Sequence, residues 1–217
     1  GFRSGQYMAS CDELFMTVRG RGGHGAQPHQ NIDPIAITAQ IITGLQQVVS
    51  RFADPRIPTV LTWEKIIGNG ATNIIPDEVY LEGTFRTFNE EWRADAHQKM
   101  VKMAQGIAES MGASCDFEVR KGYPFLVNEP KLTENARSFA KEYLGDDNVV
   151  ELELWPAAED FSYYSQEANA CFYRLGTGNK EKGILSAVHT PTFDIDENAL
   201  ELSIGLMSYI TIKQLSE

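Results

Sequence analysis

Residues 13 to 122 alternate between two hydrophobic periods, in an order that few folds accommodate. Apolar residues recur at every second position in "ELFMTVRG", "TVLTWEKIIG", "EVYLEGTFRTF" and "CDFEVRKG", which predicts four strands. Helical spacing of apolar residues predicts one helix that runs to Arg51 and a second that runs to Met111. The order β-α-β-β-α-β is that of a ferredoxin-like sandwich, in which two helices cover one face of an antiparallel sheet. The other face is left open to a partner.

Both predicted helices carry end signals. Asp33 and Asn89 are side chains that can cap a helix N-terminus, and Pro34 suits the first helical position. Gly112 is placed to end the second helix.

The pattern changes at "YPFLVNEP", whose two prolines favour a domain boundary. Beyond it we predict helices near 131–144 and 160–167, and strands near 149–154 and at "ACFYRLG". A last helix opens with "DIDE", where Asp194 and Glu197 have capping-box spacing. This alternation is typical of a three-layer α/β domain, and so few strands favour only part of one. The predicted domains are 11–123 and 124–217.

Composition excludes several classes of partner. A net charge of −11 argues against nucleic acid, because affinity for phosphate backbones comes from clustered Lys and Arg. No segment is apolar for long enough to span a bilayer, so no membrane partner is expected. The three cysteines are far apart and lack C-x-x-C spacing, which favours free thiols in a reducing cytoplasm.

Residues 20–29, "GRGGHGAQPH", contain the pattern G-x-G-x-x-G directly after a predicted strand. A dinucleotide-binding loop needs its helix to start at the last glycine, so that the pyrophosphate reaches the free N–H groups of the first turn. Here the predicted helix does not begin until after Asp33. The position about twenty residues on, where a dinucleotide-binding fold has an acidic residue after its next strand, falls inside that helix. We therefore interpret the glycines as conformational. His24 lies at the tip of the loop, where a histidine is either a solvated side chain or a functional group.

Two polar residues lie in and after the irregular segment "GNGATNIIP". Asn73 could present an amide to a ligand, although a turn asparagine more commonly bonds its own backbone. Arg86 shares a strand face with Glu82 and points away from the core that the helices cover. It could be solvated, pair with Glu82, or bind a substrate carboxylate with its planar fork.

The last polar cluster is "PAAEDFSYY" with "SAVHTPTFDID". Glu159 and Asp160 precede a predicted helix, and carboxylates stabilise a helix N-terminus without any further role. His189 lies on a loop before the last helix. A single histidine cannot make a metal site, which needs three or four ligands.

Taken in order, "GRGGHGAQPH", "NGATNIIPDEVYLEGTFRT", "AAEDFSYY" and "HTPTFDIDENAL" resemble the dinuclear-metal amidohydrolase and peptidase family that contains carboxypeptidase G and the aminoacylases. The hippurate hydrolase and indole-acetyl-amino-acid hydrolase branch is the most similar. The resemblance covers nearly the whole chain. It implies a ferredoxin-like lid domain, which also forms the dimer interface, inserted into a zinc-peptidase-like α/β catalytic domain.

The resemblance implies a role for each polar residue singled out above. His24 matches the lid histidine that reaches the neighbouring subunit's active site and stabilises the tetrahedral intermediate. Asn73 and Arg86 match lid residues that hold the substrate's carbonyl or carboxylate. His189 matches the last metal ligand, and Glu159 matches an acidic residue close to the metal site.

The family's other metal ligands and its general-base Glu come from an N-terminal segment whose motifs do not occur here. We therefore expect residues 1–10 to be the crossing from a missing N-terminal segment, and the chain alone to be inactive. The implied function is hydrolysis of the amide of N-acyl amino acids or small peptide-like substrates. The intact enzyme would be a homodimer through the lid and would use two divalent metal ions, zinc or manganese. The alternative is a non-catalytic dimerisation or ligand-binding module that works through the open sheet face.

Overall fold

The structure is a computed structural model that describes residues 1–216, and these residues form two compact units. The sandwich unit comprises Met8–Leu126 and Pro156–Ser162. The helical unit comprises Gly1–Tyr7, Val127–Trp155 and the chain from Tyr163 onward.

The strands and helices, in chain order, are β1 (Gly5–Met8), β2 (Asp12–Arg19), β3 (Gly23–His24), α1 (Pro34–Gln47), β4 (Thr59–Ile67), β5 (Ile74–Ile75), β6 (Glu78–Thr87), α2 (Glu90–Ser110), β7 (Ser114–Lys121), β8 (Leu126–Asn128), α3 (Pro130–Leu144), α4 (Ser162–Glu167) and α5 (Asn198–Leu215). A π-helical turn over Val48–Phe52 continues α1. Among residues 1–216, no helix combines the length and the apolar character that crossing a membrane requires.

The sandwich unit confirms the ferredoxin-like prediction. Its four-stranded sheet has the order β4-β6-β2-β7, and every neighbouring pair is antiparallel. Helices α1 and α2 lie against each other and against one face of this sheet. Alternate residues of β2 are buried on that face, and they include Leu14, Met16 and Val18.

Local signals set the ends of both helices, as predicted. Asp33 Oδ1 accepts the N–H groups of Ile35 and Ala36, so α1 begins at Pro34. Asn89 Oδ1 accepts the N–H of Trp92 at 2.8 Å and caps α2. Each such cap typically contributes about 1 kcal/mol.

The uncovered face of the sheet carries charged side chains that pair with one another. Lys65 Nζ lies 2.6 Å from Glu82 Oε1, and Arg120 Nε lies 2.7 Å from Glu118 Oε1. The Arg120 guanidinium also lies 4.1 Å from the centre of the Phe15 ring. This face is therefore polar and largely satisfied by its own contacts.

In the helical unit, α3 and α5 pack together over a small core that includes Phe2 and Phe139. The strands predicted near 149–154 and at "ACFYRLG" were wrong. Those segments run beside residues 1–7 through isolated bridges: Phe2 bonds both Val150 O and Leu152 N–H, and Gly1 and Arg174 exchange two backbone bonds. Isolated bonds of this kind do not repeat in the register that a ladder requires.

The predicted capping box at the start of α5 was also wrong. Asp194 Oδ1 accepts the N–H of its neighbour Ile195, and Glu197 makes no side-chain cap bond. Asp196 Oδ1 instead accepts the N–H of Asn198 at 3.2 Å, while its carboxylate also binds Lys182. Hydrogen bonds lower the pKa of Asp196 to about 2, and the bond with Lys182 has the largest effect.

Candidate functional site

Two predicted site residues, His24 and Asn73, are brought together by a small second sheet in the sandwich unit. Strand β3 pairs with β5 in antiparallel register, with Gly23 opposite Ile75 and His24 opposite Ile74. The N–H of Gly25 donates to the carbonyl of Asn73 at 2.9 Å. The glycine loop and the segment before β6, fifty residues apart in sequence, thus form one structural element.

The backbone N–H groups of the glycine loop are used within the protein. Four of them donate at 2.9 Å: Gly20 to Asp77 O, Arg21 to Ile32 O, Gly22 to Asp77 Oδ1 and Gly25 to Asn73 O. A phosphate cradle depends on such groups being free to bind the ligand. The loop is therefore not a nucleotide site, as the late start of α1 predicted.

The glycines allow other backbone segments to approach closely. A Cβ on Gly20 would collide with the carbonyl oxygen of Ile32. A Cβ on Gly22 would collide with the carbonyl oxygen of Ile75, in the strand that pairs with β3. A side chain at Gly22 would therefore force β3 and β5 apart. Glycine at this position is thus needed for the strand pairing that brings His24 close to Asn73.

The imidazole of His24 is exposed and has a defined orientation. Its Nδ1 accepts the N–H of Ala26 at 3.1 Å. Because Nδ1 is an acceptor, the proton of the neutral ring lies on Nε2. The Asn31 side chain donates to the His24 carbonyl at 3.1 Å and fixes the backbone. The loop thus presents an Nε2–H donor to a ligand.

Asn73 is exposed in a tight turn whose backbone bonds join Ala71 and Ile74 in both directions. Within residues 1–216, its side-chain amide has no hydrogen-bond partner. The local backbone bond that commonly occupies a turn asparagine is therefore absent, and the amide is available to a ligand.

Arg86 does not pair with Glu82, the partner that the sequence offered. Lys65 occupies Glu82, and the Nη1 of Arg86 is buried without a hydrogen-bond partner among the described residues. Buried donors are rarely left unsatisfied in native proteins. A planar guanidinium with a spare N–H suits a carboxylate.

Arg86 lies far from His24 and Asn73 within one chain. Asp77, which binds the glycine loop, immediately precedes β6, and Arg86 lies nine residues further along. At a strand rise of about 3.3 Å per residue this separation is about 30 Å. One chain therefore cannot bring all three residues to the same small substrate.

Glu159 and His189 lie in different units and are described separately. Glu159 is half-buried in the sandwich unit, where its Oε1 accepts the N–H of Asp160 at 3.1 Å. His189 is exposed in the helical unit. It is the one non-glycine residue among 1–216 with positive φ, at 65°. Unusual backbone of this kind is concentrated at functional sites.

The described residues do not form a metal centre by themselves. No group of three or more His, Cys, Asp or Glu side chains within residues 1–216 could hold a metal ion. The donor set therefore does not fit a metal without ligands from outside the described residues.

A buried cluster in the sandwich unit was not predicted. Asp12 and Arg93 are fully buried and paired, with Arg93 Nε 2.9 Å from Asp12 Oδ2, and His97 Nε2 lies 2.6 Å from the same oxygen. Glu90 binds the other side of the Arg93 guanidinium at 3.0 Å. One signal was available in the sequence: Asp12 has the same parity as Leu14, on the core face of β2.

The sequence is similar to a known peptidase domain family and to several hydrolases. The family described as "peptidase dimerisation domain" matches residues 13–111. Thermostable carboxypeptidase 2 of Saccharolobus solfataricus is 34% identical over 97% of this chain and 53% of its own length. N-acetylcysteine deacetylase of Bacillus subtilis is 37% identical over 94% of this chain and 52% of its own length.

Among solved structures, a Bacillus subtilis protein described as a dinuclear metal binding peptidase from the M20 family matches all of this chain. The TM-score is 0.73 at 29% identity, and the match covers 53% of that protein. The chain thus spans about half the length of the relatives it matches.

Proposed function

The chain belongs to the M20 family of peptidases and amidohydrolases, and we propose that it forms part of a metal-dependent enzyme that cleaves the amide of N-acyl amino acids or small peptide-like substrates. The observation that carries the proposal is the pairing of β3 with β5, which brings the His24 and Asn73 residues together in one structural element. In this proposal residues 11–123 are the lid and residues 124–217 belong to the catalytic domain. The three free cysteines suit a cytoplasmic enzyme.

The proposed chemistry follows from the donors. When water attacks an amide, negative charge develops on the carbonyl oxygen, and a preorganised N–H stabilises it. The Nε2–H of His24 would be this donor. The Asn73 amide would hold the substrate's carbonyl, and the Arg86 guanidinium would bind its carboxylate.

The proposed metal ions belong to the intact enzyme, as two zinc or manganese ions. His189 would be one ligand and Glu159 would lie close to the site. Because the described donor set does not fit a metal by itself, we propose that the 217-residue chain alone is inactive.

The separation of about 30 Å along β6 makes a second subunit necessary to the proposal. Arg86 of one subunit would share a substrate with the partner's His24 and the partner's Asn73. A homodimer supplies both sets of residues twice, which agrees with the dimerisation-domain match over residues 13–111.

We propose that the second copy docks on α1 and the edge strand β4. The outer edge of β4 has backbone groups unpaired within the sheet, and such edges bind other strands. A groove of about 250 Å³ lies beside this edge, with apolar walls that include Ile35, Ile42 and Ile66. Ile66 is 56% exposed. The matched segment contains α1 and β4 but ends before β7, the other edge.

The change Ile66→Asp is expected to convert the dimer to a monomer, because a carboxylate would be desolvated in an apolar interface. The dissociation constant should rise at least about 100-fold, as for central interface residues. Light scattering on a sizing column reads this directly as a fall to the 24.2 kDa mass of one chain. Ile212→Asp, at an exposed isoleucine of α5, is the matched control and should stay dimeric. A monomeric unmodified chain would contradict the proposal.

The rival function is a non-catalytic dimerisation or ligand-binding module that uses the open sheet face. The ion pairs of Lys65 with Glu82 and of Arg120 with Glu118 leave little unsatisfied polarity there. Arg86 Nη1 is an exception on this face, but the Nε2–H of His24 and the amide of Asn73 lie away from it, at the paired strands β3 and β5, which favours the enzyme.

A chimera tests the enzyme directly. This chain replaces the matching segment of N-acetylcysteine deacetylase, which aligns over 205 residues. We expect the chimera to hydrolyse N-acyl amino acids and to lose activity with a chelator. His189→Ala in the chimera should lower its bound metal, measured by mass spectrometry of the elements. A folded, dimeric chimera that binds metal and turns over no N-acyl amino acid would favour the module.

A further inference from the structure

An open cavity of about 730 Å³ lies beside the paired strands β3 and β5 in the sandwich unit. The glycine loop and β5 form one wall, and the ends of β4 and β6 form another. Its size lies within the range of small-molecule sites. None of the roles described above uses it.

The cavity adjoins the His24 imidazole through Ile74. Residues directly opposite in an antiparallel pair point to the same face, with Cβ atoms about 5 Å apart. His24 and Ile74 are such a pair, and Ile74 lines the cavity. The Ile74 side chain is 54% exposed. A group bound in the cavity would therefore lie next to whatever the imidazole contacts.

The residues that line the cavity determine which chemical groups it can bind. Ile67 and Tyr80 are opposite each other in the β4–β6 register and line the cavity with Ile74. Lys65 Nζ lies 5.7 Å from the centre of the Tyr80 ring and helps to fix it. These three side chains offer apolar surface to a ligand.

The cavity also contains two carboxylates, and both are engaged. Asp77 Oδ1 accepts the N–H of Gly22, and Glu78 Oε2 lies 3.3 Å from Arg19 Nε. Their negative charge repels an anionic group, and Arg19 already pairs with Glu78. The chemistry of the cavity therefore fits an uncharged, apolar group.

We propose that this cavity binds the uncharged apolar group of the substrate next to the cleaved amide, and that Ile67, Ile74 and Tyr80 determine its preferred size. The inference rests on the proposed function, because His24 links the cavity to the amide. The group is either the acyl chain or the amino-acid side chain, and the two are separated by experiment.

The test uses the 217-residue chain with isotope-labelled isoleucine methyl groups, observed by NMR. One series lengthens the acyl chain, from N-acetyl- to N-butyryl- and N-hexanoyl-alanine. The other lengthens the side chain, from N-acetyl-alanine to N-acetyl-norleucine and N-acetyl-phenylalanine. N-succinyl-alanine is the anionic comparison. In one series the Ile67 and Ile74 methyl signals should shift, and affinity should rise up to about fourfold per added methylene.

Ile74→Ala should weaken the longest ligand of that series about tenfold and leave N-acetyl-alanine unchanged. Ile212→Ala, outside the cavity, is the matched control and should change neither. Equal affinity across both series, or preference for N-succinyl-alanine, overturns the inference. If N-acetyl-alanine binding depends on Arg86 but not on chain length, the inference fails while the proposed function stands. If no compound shifts the Ile67 or Ile74 methyl signals, the inference fails, and hydrolysis by the chimera then decides the proposed function separately.

Discussion

His24→Ala is expected to lower kcat of the chimeric enzyme by about 10²- to 10³-fold, the loss that follows removal of one oxyanion donor. The geometry gives the reason. Nδ1 accepts the N–H of Ala26, so Nε2 carries the proton of the neutral ring and points it outward. Alanine removes that donor from the developing charge while β3 and β5 can still pair through their backbones. KM should change little, because the lost interaction is made mainly in the transition state.

His29→Ala is the matched control, because His29 is an exposed histidine of the same loop segment, with its Nε2 3.4 Å from Gln30 Nε2. It should retain near-normal turnover. Metal content, measured on both variants, should be unchanged, since His24 is not a proposed ligand. His24→Gln keeps an N–H donor of similar reach and should recover part of the rate. Turnover of His24→Ala within threefold of the unmodified chimera would remove His24 from the mechanism.

The parts of the fold that sequence predicted well depend on local signals. The caps at Asp33 and Asn89 act within one turn of their helices, and period-two alternation marks each long strand by itself. The capping box predicted for Asp194 and Glu197 does not form. The local pattern does not distinguish Asp194 from the nearby Asp196 as the residue that binds the start of α5, and Lys182, from a separate turn, binds Asp196. The contact with Lys182, which the local sequence does not encode, thus distinguishes Asp196 from Asp194.

The candidate site was predicted residue by residue, but its assembly was not. Strands β3 and β5 have two residues each, too few for any hydrophobic period, and they pair across fifty residues of sequence. Sequence also gave no reason to separate Arg86 from Asn73. That separation follows from the length of β6, and it is what makes a second subunit necessary to the proposal.

The buried ion pair of Asp12 and Arg93 stabilises the sandwich unit. Arg93→Met is expected to lower its free energy of unfolding by about 3–5 kcal/mol, because it leaves the Asp12 carboxylate buried without its main partner. Both side chains are fully buried, and Arg93 also donates to the carbonyl of Gly122 at 3.0 Å. One side chain thus joins the start of β2, the start of α2 and the end of β7.

Lys99→Met is the matched control on the same helix, because Lys99 pairs with Asp95 at the surface. Exposed pairs of this kind typically contribute less than about 1 kcal/mol. The double change Asp12→Leu with Arg93→Met removes the unpaired charge and should recover much of the loss. If Arg93→Met and Lys99→Met unfold at the same denaturant concentration, the cluster does not stabilise the unit.

The pH dependence gives an independent signature of the same pair. Burial by itself would raise the pKa of Asp12, but hydrogen bonds with His97 and Arg93 outweigh it and hold the pKa below its ordinary 3.8. A carboxylate with a lowered folded-state pKa contributes stability that is fully present above its unfolded pKa and is lost as pH falls through the folded value. The part of the stability difference between the unmodified chain and Asp12→Asn that comes from the Asp12 charge should therefore be fully present at about pH 5 and narrow below about 3.8.

Tryptophan fluorescence separates the two units in this measurement. Trp63 and Trp92 lie in the sandwich unit and Trp155 in the helical unit, so a Trp155→Phe background reports the sandwich unit alone. Urea titrations at pH 7, 5, 4 and 3 then give the free energy of unfolding for each variant. A difference that persists undiminished at pH 3 would mean that Asp12 stabilises the unit through its shape and neutral hydrogen bonds rather than through its charge.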